Sequence, residues 1–206
     1  MLIDIFVKAG APSDARGCRK GPAPMAKDGI IIYSSQTGYT KRYAEFLAEQ
    51  LNYDIKPVRK ANLFRVSCYP VVIYGGGLHH NRIDGIRGLV DGYEYLGDQT
   101  LIVFSVGLSS VNDDIIRDIK RRNLPDFLQE NVFFKALPGG LARKDTLPGA
   151  TMAHKVDFYR EKRAEGKTLT RGDMIALAIA DGKSPDQNRY DEGEAGVIVN
   201  AARRHV

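Results

Sequence analysis

Hydrophobic and polar positions follow no regular period over residues 1–28, and a clear one begins at Gly29. Gly10 to Lys27 mixes Gly, Pro and Ala with scattered charge, a composition that builds neither a helical nor a strand face. Residues 1–28 therefore read as a disordered N-terminal extension, or as sequence upstream of a start at Met25. Ile30-Ile31-Ile32-Tyr33 is a continuous β-branched and aromatic run, the pattern of a strand buried on both faces. A polar turn with Gly38 follows, and then Thr40 to Leu51. There Tyr43, Phe46, Leu47 and Leu51 recur at helical spacing with Lys41, Arg42, Glu45 and Glu49 outward. Tyr53 to Val58 is a second short strand, and Pro70 to Tyr74 a third, ended by Gly75-Gly76-Gly77.

The alternation continues. Ile83 to Leu96 reads as a helix weakened by three glycines. Leu101 to Val106 is a fourth strand. Asn112 to Arg122 is a helix with Ile115, Ile116 and Ile119 on one face and Asn112 or Asp113 as its cap. Val132 to Leu137 is the fifth strand, closed by Pro138-Gly139-Gly140. Met152 to Ala164 and Arg171 to Ala180 are helical, the second capped by Thr170 with Met174, Ile175, Leu177 and Ala178 as its apolar side. Residues 182–206 read as a polar C-terminal tail. Strands alternating with helices imply an α/β fold. The expected plan is a doubly wound five-stranded parallel sheet, order 2-1-3-4-5, with helices on both faces of one domain at 29–181.

The first strand hands over to its helix through Ser34 to Thr40, where backbone N–H groups lack intrahelical partners. Those groups and the helix dipole suit an anion. Gly38 lets the backbone bend closely, and Ser35, Thr37 and Thr40 add uncharged donors. No Lys follows the glycine, which argues against ATP or GTP, and the GxGxxG spacing of a dinucleotide fold is missing. An ordinary capped helix start is the alternative.

The run from Ile31 through Tyr33-Ser34-Ser35-Gln36-Thr37-Gly38-Tyr39-Thr40 to Ala44 and Leu47 resembles the flavodoxin signature. That resemblance implies a flavodoxin-like fold and FMN as cofactor, with its phosphate on Ser35, Gln36, Thr37, Gly38, Tyr39 and Thr40. It implies the isoalloxazine ring between two further loops. One is Gly75, Gly76, Gly77, Leu78 and His79; the other is Ser105, Val106, Gly107, Leu108 and Ser109. The glycine-rich first loop, the Phe104-Ser105-Val106 strand end and Pro138-Gly139-Gly140 look most like the menaquinone-dependent protoporphyrinogen dehydrogenase branch. Its members are flavin enzymes that pass electrons to membrane quinone. Neither ring loop carries the Tyr or Trp that often stacks on the flavin of carrier flavodoxins. This departure favours two-electron chemistry.

Charge narrows the partners. The chain has net charge +5 and pI about 9.1, which favours phosphorylated ligands or peripheral contact with an anionic membrane. Nucleic acid is not expected, because no basic cluster alternates with stacking aromatics. No apolar run is long enough to span a bilayer and no export signal is read, so a cytoplasmic protein is expected. The two cysteines, Cys18 and Cys68, show no metal or redox spacing and read as reduced thiols. No metal is expected. His79 and His80 are either a polar loop or, at His79, a proton donor to reduced flavin. Asp113-Asp114 fits the helix dipole more simply than an acid pair, and Lys41-Arg42 a solvated face more simply than a phosphate contact. Three functions remain: an FMN-dependent oxidoreductase with a small-molecule substrate and a quinone or redox partner, an electron carrier, and a module without flavin.

Overall fold

The structure is a computed structural model that describes residues 27–93, 96 and 99–204. The segment 1–26, read above as an extension, lies outside the described residues. Lys27 and Asp28 belong to the fold: Lys27 Nζ reaches Asp54 Oδ1 at 3.5 Å, and the Asp28 carbonyl accepts from the Val71 N–H.

Five strands form the parallel sheet: β1 (Gly29–Ser34), β2 (Asp54–Pro57), β3 (Val71–His79), β5 (Thr100–Gly107) and β6 (Phe133–Pro138). They lie in the order β2-β1-β3-β5-β6, with the short β4 (Arg82–Ile83) folded back antiparallel on β3. Leaving β4 aside, this is the expected 2-1-3-4-5 plan. The period of two explains the layering. Ile31, Ile73, Ile102 and Phe104 face α1 (Tyr39–Leu51) and α8 (Glu192–Arg203). Ile30, Ile32, Val72, Tyr74 and Val103 face the opposite layer, which holds α3 (Ile86–Asp91) and α4 (Asp113–Asn123). Two further single-turn helices, α2 (Leu63–Val66) and α5 (Asp126–Gln129), complete that layer.

Helix ends follow their sequence signals. Asn112 Oδ1 accepts from the Ile115 N–H at 3.0 Å, with Asp113 and Asp114 in the first turn of α4 and Lys120 to Arg122 in its last. Between β6 and α8 the chain inserts β7 (Gly140–Leu141), α6 (Ala153–Ala164), α7 (Arg171–Ala180) and β8 (Gln187–Asn188). This insert has its own core of Leu141, Met152, Val156, Tyr159, Ala176, Leu177 and Ile179, with Leu108 packed against it. Thr170 and Asp173 cap α7 reciprocally.

Several expectations are corrected. The glycines after Tyr74 are not a loop: β3 runs through them to His79, with Gly75 and Gly76 paired to both β1 and β5 and Gly77 to β5. Gly75 sits opposite Phe104, and a Cβ there would collide with that ring, so the glycine gives Phe104 its place in the sheet. Ile83 opens no helix, because it pairs back onto Leu78, and α3 starts only after Gly85 in the left-handed region. The apolar side of α7 is Ala176, Leu177 and Ile179; Met174 is 53% exposed. The segment read as a polar C-terminal tail holds a core helix, since α8 buries Ala195, Ile198, Val199 and Ala202 against the sheet and α1. Cys68 is disulfide-bonded, which corrects its reading as a reduced thiol; pairing depends on proximity in space, which spacing along the chain does not report. Cys18 lies outside the described residues. Among the described residues no helix is long and apolar enough to cross a membrane.

Candidate functional site

The loop between β1 and α1 sits at the carboxyl end of the sheet. Its bend is made by Gly38, the N-cap of α1, at φ 90°, a left-handed value that other residues rarely adopt. No side chain caps the helix and no acid stands in its first turn, so its first amides and the positive end of its dipole stay available. Thr40 is 3% exposed, and the buried Ser35 Oγ and Gln36 Oε1 have no hydrogen-bond partner among the described residues. Buried polar atoms of this kind are ordinarily satisfied. A ligand carrying both acceptors and hydroxyls satisfies both of them.

A hollow opens beside this loop, with Gln36, Thr37, Tyr39 and Thr40 on one side. Gly77, Leu78 and His79 from β3, and Val106, Gly107 and Leu108 from β5, form further walls. The structure thus brings together one stretch from each of the three predicted segments. Gly38 shapes the loop without lining the hollow, and Ser35 stands beside the lining with its buried hydroxyl unpartnered. Gly75 and Gly76 lie within the sheet, and Ser105 is fully buried in β5 with its hydroxyl unpartnered. Ser109 falls beyond the lining, near Gly172. The candidate set missed Gly139, Gly140, Leu141 and Met152, which close the hollow from the β6 end and the insert. Pro138-Gly139-Gly140 was the available signal. Tyr39 packs its ring against Gly140 and donates from its hydroxyl to the Gln187 carbonyl at 3.3 Å. Lys41 pairs with Glu45 on the solvated face, whereas Arg42 stacks 3.8 Å over the Tyr190 ring.

The β3–β4 hairpin turns on His80 and Asn81, both with positive φ, 52° and 58°. Two-residue turns of this hand match strand twist but suit Gly and Asn better than His. His80 is pinned there by Asp173, which accepts from its N–H at 3.1 Å and contacts ring Nδ1 at 2.9 Å. Asn81 donates to Asp118 Oδ2 at 2.9 Å. His79 is flanked by Asp84, at 3.3 Å from Nε2, and by the Tyr159 hydroxyl, at 3.2 Å from Nδ1. Lys155 grips Asp84 with contacts of 2.7 and 2.9 Å. Burial works against the Asp84 charge, but His79 and Lys155 outweigh it and hold the carboxyl below its usual range.

The hollow fits FMN in the chemistry of its walls. Donors without charge gather at a helix start for a phosphate, and an apolar floor of Leu78, Leu108, Leu141 and Met152 suits a ring.

No curated protein matches the chain significantly in sequence. Among solved structures it is similar to a WrbA-like flavodoxin from Agrobacterium tumefaciens, at 14% identity and TM-score 0.42, covering 86% of this chain and 98% of that one. It is also similar to oxidised flavodoxin 2 from Bacillus cereus, at 16% identity and TM-score 0.36, covering 53% of this chain and 84% of that one. The model of the flavodoxin domain matches residues 30–156, more than half of the chain. This protein belongs to the flavodoxin-domain family.

Proposed function

We propose that the chain binds FMN and works as an FMN-dependent oxidoreductase, moving electrons between a small-molecule substrate and a quinone or redox partner. The observation that carries the reading is the loop Ser35–Thr40, with two unpartnered buried oxygens beside an uncapped helix start. Bound FMN supplies reversible electron transfer at its ring. The chain's own part is divided among its elements. The amides after Gly38 and the hydroxyls of Ser35, Thr37 and Thr40 hold the phosphate. Gln36 Oε1 accepts from a ligand hydroxyl or N–H. Leu78, Leu108, Leu141 and Met152 keep water from the ring's apolar part, and His79 holds a proton at the edge of the hollow.

An enzyme is favoured over a carrier because those walls are aliphatic where a carrier stacks aromatics, and because the net charge of +5 favours an anionic substrate. The same charge supports peripheral contact with an anionic membrane, where a quinone resides. The resemblance to protoporphyrinogen dehydrogenases supports that acceptor. The test is reoxidation of the reduced, FMN-loaded protein without oxygen. A water-soluble menaquinone analogue should reoxidise it within the mixing time, and a one-electron protein acceptor slowly. Reoxidation by the protein acceptor alone removes the enzyme reading.

A further inference from the structure

Behind His79, which lines the hollow, stands an ionisable cluster with no part in holding a phosphate. Both ring nitrogens of His79 are engaged, Nε2 with Asp84 and Nδ1 with the Tyr159 hydroxyl. Asp84 is fixed in turn by Lys155, and its carbonyl accepts from the Tyr74 hydroxyl at 2.7 Å. Tyr159, from α6, is 2% exposed, and its hydroxyl has a second neighbour in the Asp173 carboxylate of α7, also 2% exposed. Lys162 Nζ lies 3.0 Å from His80 Nε2, and Arg82 is the register partner of His79 across the hairpin. The charges around His79 are therefore Asp84 in contact with it, Lys155 paired to that carboxylate, Asp173, His80 and Lys162 beyond Tyr159 and the hairpin turn, and Arg82 on the exposed side.

An imidazole between a carboxylate and a hydroxyl can hold one proton or two without losing a hydrogen bond. With one, Nε2–H donates to Asp84 and Nδ1 accepts from Tyr159. With two, Nδ1–H donates to the Tyr159 oxygen, and the hydroxyl hydrogen turns to Asp173. Tyr159 suits this, since burial and then Asp173 push its pKa up and keep the hydroxyl protonated. Burial pulls the Lys155 pKa down, while its pairing with Asp84 opposes that pull.

We infer that His79 is a redox-linked proton acceptor: when flavin in the hollow is reduced, His79 takes up a proton from water while the Tyr159 hydroxyl turns from His79 to Asp173. The inference rests on the FMN reading above. The balance is simple. At neutral pH a two-electron reduction gives the flavin two electrons and one proton, leaving one added negative charge. One further proton passes from solvent to His79 Nδ1, and no other bond is made or broken. A new negative charge beside a partly dehydrated imidazole raises its proton affinity. Reduction thus adds no net charge to the site.

The test counts protons on the FMN-loaded full chain, reduced with dithionite without oxygen at about pH 7.5, from the pH dependence of the midpoint potential. Wild type should take up about two protons per flavin and His79→Gln about one. A wild-type count of about one, or equal counts in the two proteins, overturns the inference. Should His79→Gln fail to fold, NMR of the wild type decides. The His79 Cε1 proton, assigned by its contact with the Tyr159 ring, should titrate roughly one pH unit or more higher in the reduced protein, a tenfold gain in proton affinity. An unchanged midpoint overturns it. Failure to take up FMN at all sinks the functional reading together with this one, whereas FMN uptake with a single proton sinks only this one.

Discussion

The Tyr43 hydroxyl accepts from the Asp191 N–H at 2.9 Å and donates to the Pro138 carbonyl at 2.8 Å. One phenol thus ties the helix that starts at the phosphate loop to the end of β6 and to the cap of α8. Its ring packs 4.4 Å from that of Tyr190, between α1 and the last connection. Burial, the largest influence, pushes the Tyr43 pKa up and keeps the hydroxyl able to donate.

Tyr43→Phe removes that link while keeping the ring. It leaves a carbonyl and an N–H without their partner, at a cost of about 1–3 kcal/mol. Urea denaturation should show the loss as a lower midpoint with an unchanged slope. A variant as stable as wild type would mean that water replaces the hydroxyl at no cost.

The last helix is part of the core, so its apolar side chains should weigh as core residues. Ile198 is fully buried among α1 and sheet residues. Ile198→Ala should destabilise by about 2–5 kcal/mol. Val197→Ala, one position along and exposed, should stay within about 0.5 kcal/mol. Equal effects at the two positions would refute the packing of α8.

Acid should act through Asp84. Its folded pKa lies below the usual 3.8, so its contribution is fully present above that value and lost as pH falls through the folded value. Asp84→Asn should lower stability at neutral pH by about 3–5 kcal/mol, because Lys155 is left buried without its partner. Below pH 4 the gap to wild type should narrow as wild-type Asp84 takes its own proton. A constant gap from neutral pH to roughly pH 2 contradicts the pairing.

Legibility in the sequence followed the range of the forces. The triplet Ile30-Ile31-Ile32, the turn at Gly38 and the caps at Asn112 and Thr170 are local signals, and the structure has them as read. The glycines of β3 read as a loop because the reason for Gly75 is Phe104, a residue on another strand. His79 and His80 read as well as a polar loop as a proton donor because two of their partners, Tyr159 and Asp173, stand 80 and 93 positions further on. The last helix hid behind Glu192 and Glu194 and a run of small residues, whose close approach to α1 no single-helix pattern displays. Gly139 and Gly140 were seen as a strand stop; that they also close the hollow depends on the insert folding back.

The central claim is that the loop Ser35–Thr40 holds the phosphate of FMN. Titration of the flavin-free protein with FMN, followed by quenching of flavin fluorescence, tests it most directly. Wild type should bind one FMN per chain, and boiling should release FMN and no FAD, since the loop offers a single phosphate site. Thr37→Ala and Thr40→Ala each remove one donor to a charged acceptor, a loss of about 1.5–3 kcal/mol, or roughly tenfold to a hundredfold in affinity. Gly38→Val should weaken binding further, because a branched residue resists the φ of 90° that shapes the loop. Absence of binding by wild type, or wild-type affinity in all three variants, would contradict the account and leave the loop a helix start.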